Sequence, residues 1–171
     1  MTTMCGDESP DFDANYSDEC CGPINIDRVF EQSHRRPVEQ PDFSDTNYFY
    51  LLLQEAEAAM YKVQIERGLS LYGRAYGLAK EMEALGADAC FGVMFHLHYF
   101  NFDLRAYWMC TEITQMAFES KDVSLLRDIW RILPEIGFPG DDVNELALIL
   151  RDNIENQYPE VMDFGNKSRR F

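Results

Sequence analysis

The sequence predicts an all-α protein in which six helices form an antiparallel bundle or a short stack of helical hairpins. Apolar residues recur at intervals of three and four through most of residues 43–160, which is the spacing of one face of a helix. Capping residues and glycines separate these stretches. The connections between the stretches are short, so we expect consecutive helices to run antiparallel within one helical domain.

An acidic segment precedes the predicted domain. Residues 1–45 carry eleven acidic and three basic residues, and their apolar residues are too scattered to offset the entropy lost on ordering. We therefore expect residues 1–42 to be a mostly disordered, flexible arm. A short helix is predicted at 24–34, between two prolines. Through residues such as Phe30 this helix could dock on a partner or on the predicted helical domain at 43–160, which we call the body of the protein. Docking on the body is the expected outcome.

The first two helices of the domain are predicted to be amphipathic. One covers residues 45–67, beginning at an aspartate that suits an N-cap and stopping at Gly68. The next covers about 70–85 and stops at Gly86. Their apolar faces are expected to consist of Tyr48, Leu52, Ala56, Ala59 and Val63 in the first helix, and of Leu71, Ala75, Leu78, Met82 and Leu85 in the second.

Residues 88–100 are almost entirely apolar, and two structures compete for them. A helix that is hydrophobic on all sides belongs in the centre of a bundle. The alternative is a β-strand, because the side chains alternate in type and aromatic residues are frequent. We predict the helix, since a single strand among helical neighbours has nothing to pair with.

Three further helices are predicted toward the C-terminus. They cover about residues 103–120, 123–136 and 141–158, with aspartates at or near their first positions. The tail at 161–171 is expected to fray. The helix starts recur with a spacing close to the period of tetratricopeptide-type hairpins, although the residues characteristic of that repeat are largely missing.

His96 and His98 are the candidate metal ligands of the sequence. Residues two positions apart point away from each other in a helix, whereas in a strand they share a face. Because a helix is predicted here, we expect two histidines in a core or a groove. The sequence therefore indicates no metal and no cofactor.

The other motifs give little support to an enzyme. Five cysteines lack the spacing of a disulfide framework or a zinc knuckle, and Cys90 and Cys110 lie in apolar helices, where small core residues are expected. A glycine-rich phosphate loop and a nucleophile elbow are both missing from the sequence. We therefore expect a non-enzymatic protein.

The charge indicates what kind of partner to expect. The formal net charge is −15, which repels nucleic acid and anionic membranes and favours a basic protein. The sequence contains no apolar run long enough to span a bilayer, and its first residues are acidic where a secretory signal would be basic. We expect a cytoplasmic protein.

Trp108 is the expected anchor for such a partner. It falls on the polar face of the helix at 103–120, and large rings dominate the energetics of protein interfaces. The alternative is that a helix of the protein's own arm covers it. The full set of predicted partner-binding residues is Trp108, Arg105, Glu112, Glu119, Phe30, Asp141 and Asp142.

Three functions are compatible with these features. The leading hypothesis is an acidic protein-binding module, such as a phage- or virus-encoded inhibitor of a host nucleic-acid-binding or defence protein. The alternative is a structural or adaptor subunit of a homo-oligomer or a larger assembly. The third is a metal-dependent enzyme that uses His96 and His98.

Overall fold

The structure of the chain is a computed structural model that describes residues 24–35, 45–82 and 85–163. Its regular structure within these ranges is entirely helical, which confirms the predicted all-α class. Short 3-10 turns follow the sixth and seventh helices, at Leu133–Glu135 and Pro159–Met162. The α-helices are α1 (Ile26–Arg35), α2 (Asp45–Tyr61), α3 (Ile65–Glu81), α4 (Gly86–Tyr99), α5 (Asp103–Ser120), α6 (Val123–Ile132) and α7 (Asp142–Gln157).

The core lies between helices that follow one another in the chain. α2 packs against α3, α3 against α4, α4 against α5, and α5 against both α6 and α7. Their arrangement as an antiparallel bundle or a hairpin stack stays a prediction. No helix within the described ranges combines the length and the hydropathy that crossing a bilayer requires.

The segment at 88–100 is helical, so the strand alternative is wrong. α4 begins at Gly86 and ends at Tyr99. One side of α4 is fully buried. A helix forms its backbone hydrogen bonds within its own segment, whereas a β-strand would need a neighbouring strand to pair with. The buried residues of α4 are Cys90, Val93, Met94 and Leu97.

The predicted boundary between the first two helices of the domain is wrong. α2 ends at Tyr61, and α3 already begins at Ile65 and continues through Gly68. Gly68 is buried inside α3 instead of ending a helix. A β-carbon at this position would lie 2.9 Å from Cε of Met60 in α2. A larger residue at position 68 would therefore have to displace the Met60 side chain, because the two helices pack closely at this point.

Val63 makes the turn between α2 and α3. Its φ is 60°, in the left-handed region. Its N–H donates to the carbonyl of Met60 at 2.9 Å, and the N–H of Gln64 donates to the carbonyl of Ala59 at 2.8 Å. This pair of hydrogen bonds is the Schellman motif that commonly ends helices. As a result Val63 is 78% exposed, and its predicted place on the buried face of the first helix is wrong.

Replacing Val63 with glycine should stabilise the protein. A β-branched side chain is strained at positive φ, whereas glycine adopts this conformation freely. Little packing is lost, because Val63 is exposed. We expect a gain of about 1 kcal/mol in the free energy of unfolding, measured by urea denaturation. Asn101, with φ of 65° at the end of α4, is the control: Asn101→Gly should gain less, because asparagine tolerates this region. A larger gain at Asn101 would contradict the assignment of strain to Val63.

Aspartates cap the last two helices, as the sequence predicts. The Asp122 carboxylate accepts from the N–H of Leu125 at 3.1 Å, and the Asp141 carboxylate accepts from the N–H of Val143 at 2.7 Å. α6 ends earlier than predicted, at Ile132, and a 3-10 turn containing Pro134 follows it. Proline has no N–H to continue the helical hydrogen bonds, which accounts for the earlier end.

The short helix predicted within the arm is α1, and it docks on the body as expected. It packs against α3, and the Ser33 hydroxyl donates to the Ser70 hydroxyl at 3.0 Å. Phe30 is completely buried, with its ring centroid 5.8 Å from that of Tyr76. The remainder of the predicted arm, at 1–23 and 36–42, lies outside the described residues.

The end of the described chain also packs on the body. Val161, in the 3-10 turn after α7, is fully buried, and this turn contacts both α6 and α7. The first residues of the predicted tail at 161–171 are thus held in place. Residues 164–171 lie outside the described residues.

Candidate functional site

A groove between α1 and α5 brings together three of the predicted partner-binding residues. Its cavity has a volume of about 400 Å³. α1 contributes two carboxylates to its wall, and α5 contributes the remaining side chains. We call this cavity the Trp108 groove, and its lining residues are Asp27, Glu31, Arg105, Trp108, Thr111 and Glu112.

Arg105 ties the two walls of the Trp108 groove together. Its Nη2 donates to Asp27 at 2.7 Å and its Nη1 donates to Glu31 at 2.8 Å. The guanidinium carbon also lies 4.9 Å from the centroid of the Phe30 ring. Arg105 is only 9% exposed, although the sequence places it on the polar face of α5. The side chain therefore holds α1 on α5, and any role in binding would be to position the carboxylates.

Trp108 remains accessible at the rim of the groove. Half of its surface, 50%, is exposed, so α1 lies beside the indole and does not cover it. Its ring centroid lies 5.4 Å from that of Tyr107, which is buried. The Thr111 hydroxyl donates to the Trp108 carbonyl at 2.7 Å. An exposed indole on a helix can offer both apolar area and a π face to a ligand.

Glu112 is fixed by contacts with α3. Its Oε2 accepts a hydrogen bond from the Tyr76 hydroxyl at 3.0 Å and a charged one from Lys80 Nζ at 2.9 Å. Burial, together with the negative charge of Glu112, raises the pKa of Tyr76 well above its ordinary value. The Tyr76 phenol consequently stays protonated and keeps donating its hydrogen bond to Glu112, which holds this carboxylate at the end of the groove.

The other predicted partner-binding residues lie elsewhere. Phe30 lies on the buried face of α1 and anchors this helix on the rest of the protein. Glu119 lies further along α5, where it accepts from Gln115 at 2.9 Å. Asp141 caps α7, and Asp142 occupies its exposed first turn. The structure thus brings together Trp108, Arg105 and Glu112 in the groove and packs Phe30 against Arg105, whereas Glu119, Asp141 and Asp142 lie apart from it.

Sequence reasoning missed Asp27 and Glu31. Asp27 lies one turn before Phe30 in α1, and Glu31 directly follows Phe30. Two acidic residues four positions apart beside a large aromatic residue could have indicated that the three side chains lie close together on the helix. This pattern does not predict where α1 docks on the body. That position depends on Arg105, which lies 78 and 74 residues away in the chain from Asp27 and Glu31.

The two histidines have separate surroundings. Nδ1 of His96 is hydrogen-bonded to the Tyr72 hydroxyl at 2.9 Å, and Nδ1 of His98 to the Asp103 carboxylate at 2.7 Å. Burial lowers the pKa of His96, so its ring is neutral at pH 7. Across the described residues, no cluster of three or more His, Cys, Asp or Glu side chains could hold a metal ion.

Cys90 and Cys110 are core residues, as expected. Both thiols are buried. Burial raises the pKa of each to about 12, so that both remain protonated at neutral pH. Because the thiolate is the nucleophilic form of cysteine, neither residue is suited to pair with His96 or His98 in nucleophilic catalysis.

Comparison with known proteins adds no assignment to this geometry. No protein-family model, curated protein sequence or solved structure is significantly similar to the chain.

Proposed function

We propose that this chain is a non-enzymatic acidic binding protein that engages a basic protein partner through the Trp108 groove. One observation carries this conclusion: a half-exposed indole lies in a cavity that three carboxylates also line. An Arg or Lys side chain of a partner would fit between them, with its charge facing the carboxylates and its flat or aliphatic part against the ring.

The balance of charge in the groove favours a cationic ligand. Asp27, Glu31 and Glu112 contribute three negative charges, and Arg105 contributes one positive charge. Lys80, which pairs with Glu112, adds a second positive charge nearby. One negative charge is thus left over, and the groove belongs to a protein of net charge −15. This field attracts basic proteins at a distance and weakens as salt is added.

The indole should account for more of the affinity than the carboxylates. Asp27 and Glu31 are about half exposed, and exposed ion pairs contribute little because water and salt screen them. A cation over the face of tryptophan keeps part of its attraction in water, and the ring also excludes water from the contact. Trp108 is therefore the residue to test.

Replacing Trp108 with alanine should weaken binding of an Arg-rich peptide about tenfold or more. The wild-type chain and the variant would be titrated by calorimetry with a peptide of alternating Arg and Gly, at low and at high salt. We expect wild-type affinity to fall as salt rises. Folding of the variant should be unaffected, because Trp108 is half exposed.

Two controls make this result specific. Phe138→Ala removes another exposed aromatic ring, 73% exposed and outside the groove, and should leave peptide binding unchanged. A peptide with neutral citrulline in place of arginine should bind far more weakly. Equal affinities of the Trp108→Ala variant and the wild type, or equal binding of both peptides, would exclude the groove as the site for a basic partner.

The more specific hypotheses stay predictions. The inhibitor role, the phage or viral source and the cytoplasmic location would follow from the identity of the partner. Affinity capture that succeeds with the wild type and fails with Trp108→Ala would supply that identity. The adaptor and metal-enzyme alternatives also stay predictions.

A further inference from the structure

A second exposed surface combines three aromatic rings from α2 and α4. Tyr61, Phe95 and Tyr99 are 62%, 46% and 60% exposed. The hydroxyls of Tyr61 and Tyr99 are hydrogen-bonded to each other at 3.3 Å, which joins the two helices. Phe95 lies one turn before Tyr99 in α4, so the two rings project from the same side. We call these three residues the α2–α4 aromatic surface.

Rings beneath this surface hold the exposed ones in place. Phe100 packs edge-on against Tyr61 and Tyr99, with centroids 5.5 and 5.1 Å apart. Tyr72 is buried behind them and is hydrogen-bonded to His96. Because these contacts already restrict the exposed rings, a ligand would lose little entropy in ordering them. Rigid tyrosines of this kind are favoured contact residues in binding surfaces.

Glu57 supplies a negative charge at the edge of these rings. It lies one turn before Tyr61 on α2, so the two side chains share a face. It is partly buried, and its carboxylate forms no hydrogen bond or ion pair with another described residue. Burial raises the pKa of Tyr72, and the negative charge of Glu57 raises it further. His96, being neutral at pH 7, does not balance this charge.

We propose that the α2–α4 aromatic surface and Glu57 form a second binding site, which takes the ammonium or guanidinium group of a partner's Lys, methylated Lys or Arg side chain. The faces of aromatic rings attract cations, and groups of such rings are used to bind quaternary ammonium ions. A partly buried carboxylate beside the rings adds a charge that only a cation complements. This site shares no residue with the Trp108 groove, so each can exist without the other.

Choline and its neutral isostere 3,3-dimethylbutan-1-ol are suitable probes, because they have the same shape and differ in charge. The titration would be followed by NMR of the aromatic side chains, using the Trp108→Ala variant so that the groove does not contribute. Choline should shift the resonances of Tyr61, Phe95 and Tyr99 with millimolar affinity. The isostere should bind about fivefold more weakly or not at all.

Variants separate a specific site from general electrostatics. Glu57→Gln should weaken choline binding about fivefold. Glu55→Gln removes the same charge from an exposed position two residues away on α2 and should have no effect. Tyr99→Leu, which keeps an apolar side chain and removes the ring, should also weaken binding. Because these variants alter exposed or partly exposed residues, thermal unfolding should confirm that all of them fold.

Several outcomes would overturn this assignment. Equal affinity for choline and the isostere would show an apolar patch without cation selectivity. Equal effects of Glu57→Gln and Glu55→Gln would show attraction by overall charge alone. A dimer that light scattering detects in the wild type and not in Tyr99→Leu would show that a second copy of the chain covers the surface. Weaker, but not abolished, Arg-peptide binding in Trp108→Ala with choline binding intact would support this site and the groove independently.

Discussion

Replacing Gly137 with alanine should lower the free energy of unfolding by about 3 kcal/mol. Gly137 has a φ of 77°, and a β-carbon there would lie 2.8 Å from the backbone nitrogen of Asn144. This nitrogen cannot move aside easily, because Asn144 is a buried residue of α7. Its side-chain amide also donates to the carbonyls of Pro134 and Ile136, at 3.3 and 3.1 Å. The added methyl group would therefore push α7 away from the turn that precedes it.

Gly140 provides a matched control for this substitution. Its φ is 85°, but a β-carbon there would meet no atom within 4 Å. Gly140→Ala should therefore cost only the strain of the left-handed conformation, about 1 kcal/mol. Urea denaturation of the two variants measures the difference directly. Equal losses of stability would mean that the contact between residue 137 and α7 has no energetic consequence.

Replacing Phe30 with alanine should release α1 from the body. Phe30 is fully buried and contacts both Tyr76 and Arg105, and removing a buried phenylalanine side chain costs about 3 kcal/mol or more. α1 contains only ten residues, too few to remain helical without tertiary contacts. Backbone amides of α1 should therefore lose protection from hydrogen exchange. The Arg-rich peptide should bind more weakly as well, because Asp27 and Glu31 leave the groove with α1.

Phe30→Leu is the conservative control, since leucine fills most of the space and should keep α1 docked with a smaller loss. The comparison separates anchoring from the charge pairs that Arg105 makes with α1. Unchanged protection of α1 in Phe30→Ala would mean that these pairs, and not the ring, hold the helix. Peptide affinity unchanged despite a released α1 would remove the α1 carboxylates from the proposed binding site.

Periodicity and capping were sufficient to predict where most helices lie. α5 occupies the predicted residues, and aspartates begin α6 and α7 as expected. The turn between α2 and α3 was missed because rules for helix ends look for glycine, and here the left-handed residue is Val63. Gly68 produced the opposite error: it suggested the end of a helix, whereas it lies buried inside α3 in close contact with the Met60 side chain.

The candidate site was only half visible in the sequence. Trp108 and Glu112 are one turn apart on α5, so helical spacing alone predicts that they are neighbours. The same spacing places Arg105 on the polar face, and nothing in the sequence of α5 indicates that α1 buries it. Contacts between distant segments depend on how the helices pack. The other helices offer several apolar faces to a short amphipathic helix such as α1, and the sequence does not indicate which of them it occupies.

The docking of α1 ties binding strength to a conformational equilibrium. Two of the three carboxylates of the Trp108 groove belong to a helix whose main contacts with the body are one buried aromatic ring, one hydrogen bond between serines and a pair of charge contacts. If only a fraction of molecules has this helix seated, the measured dissociation constant rises by the reciprocal of that fraction. High ionic strength then lowers affinity in two ways. It screens the attraction between the groove and a basic partner, and it weakens the charge contacts of α1, so that fewer molecules have α1 docked and can bind.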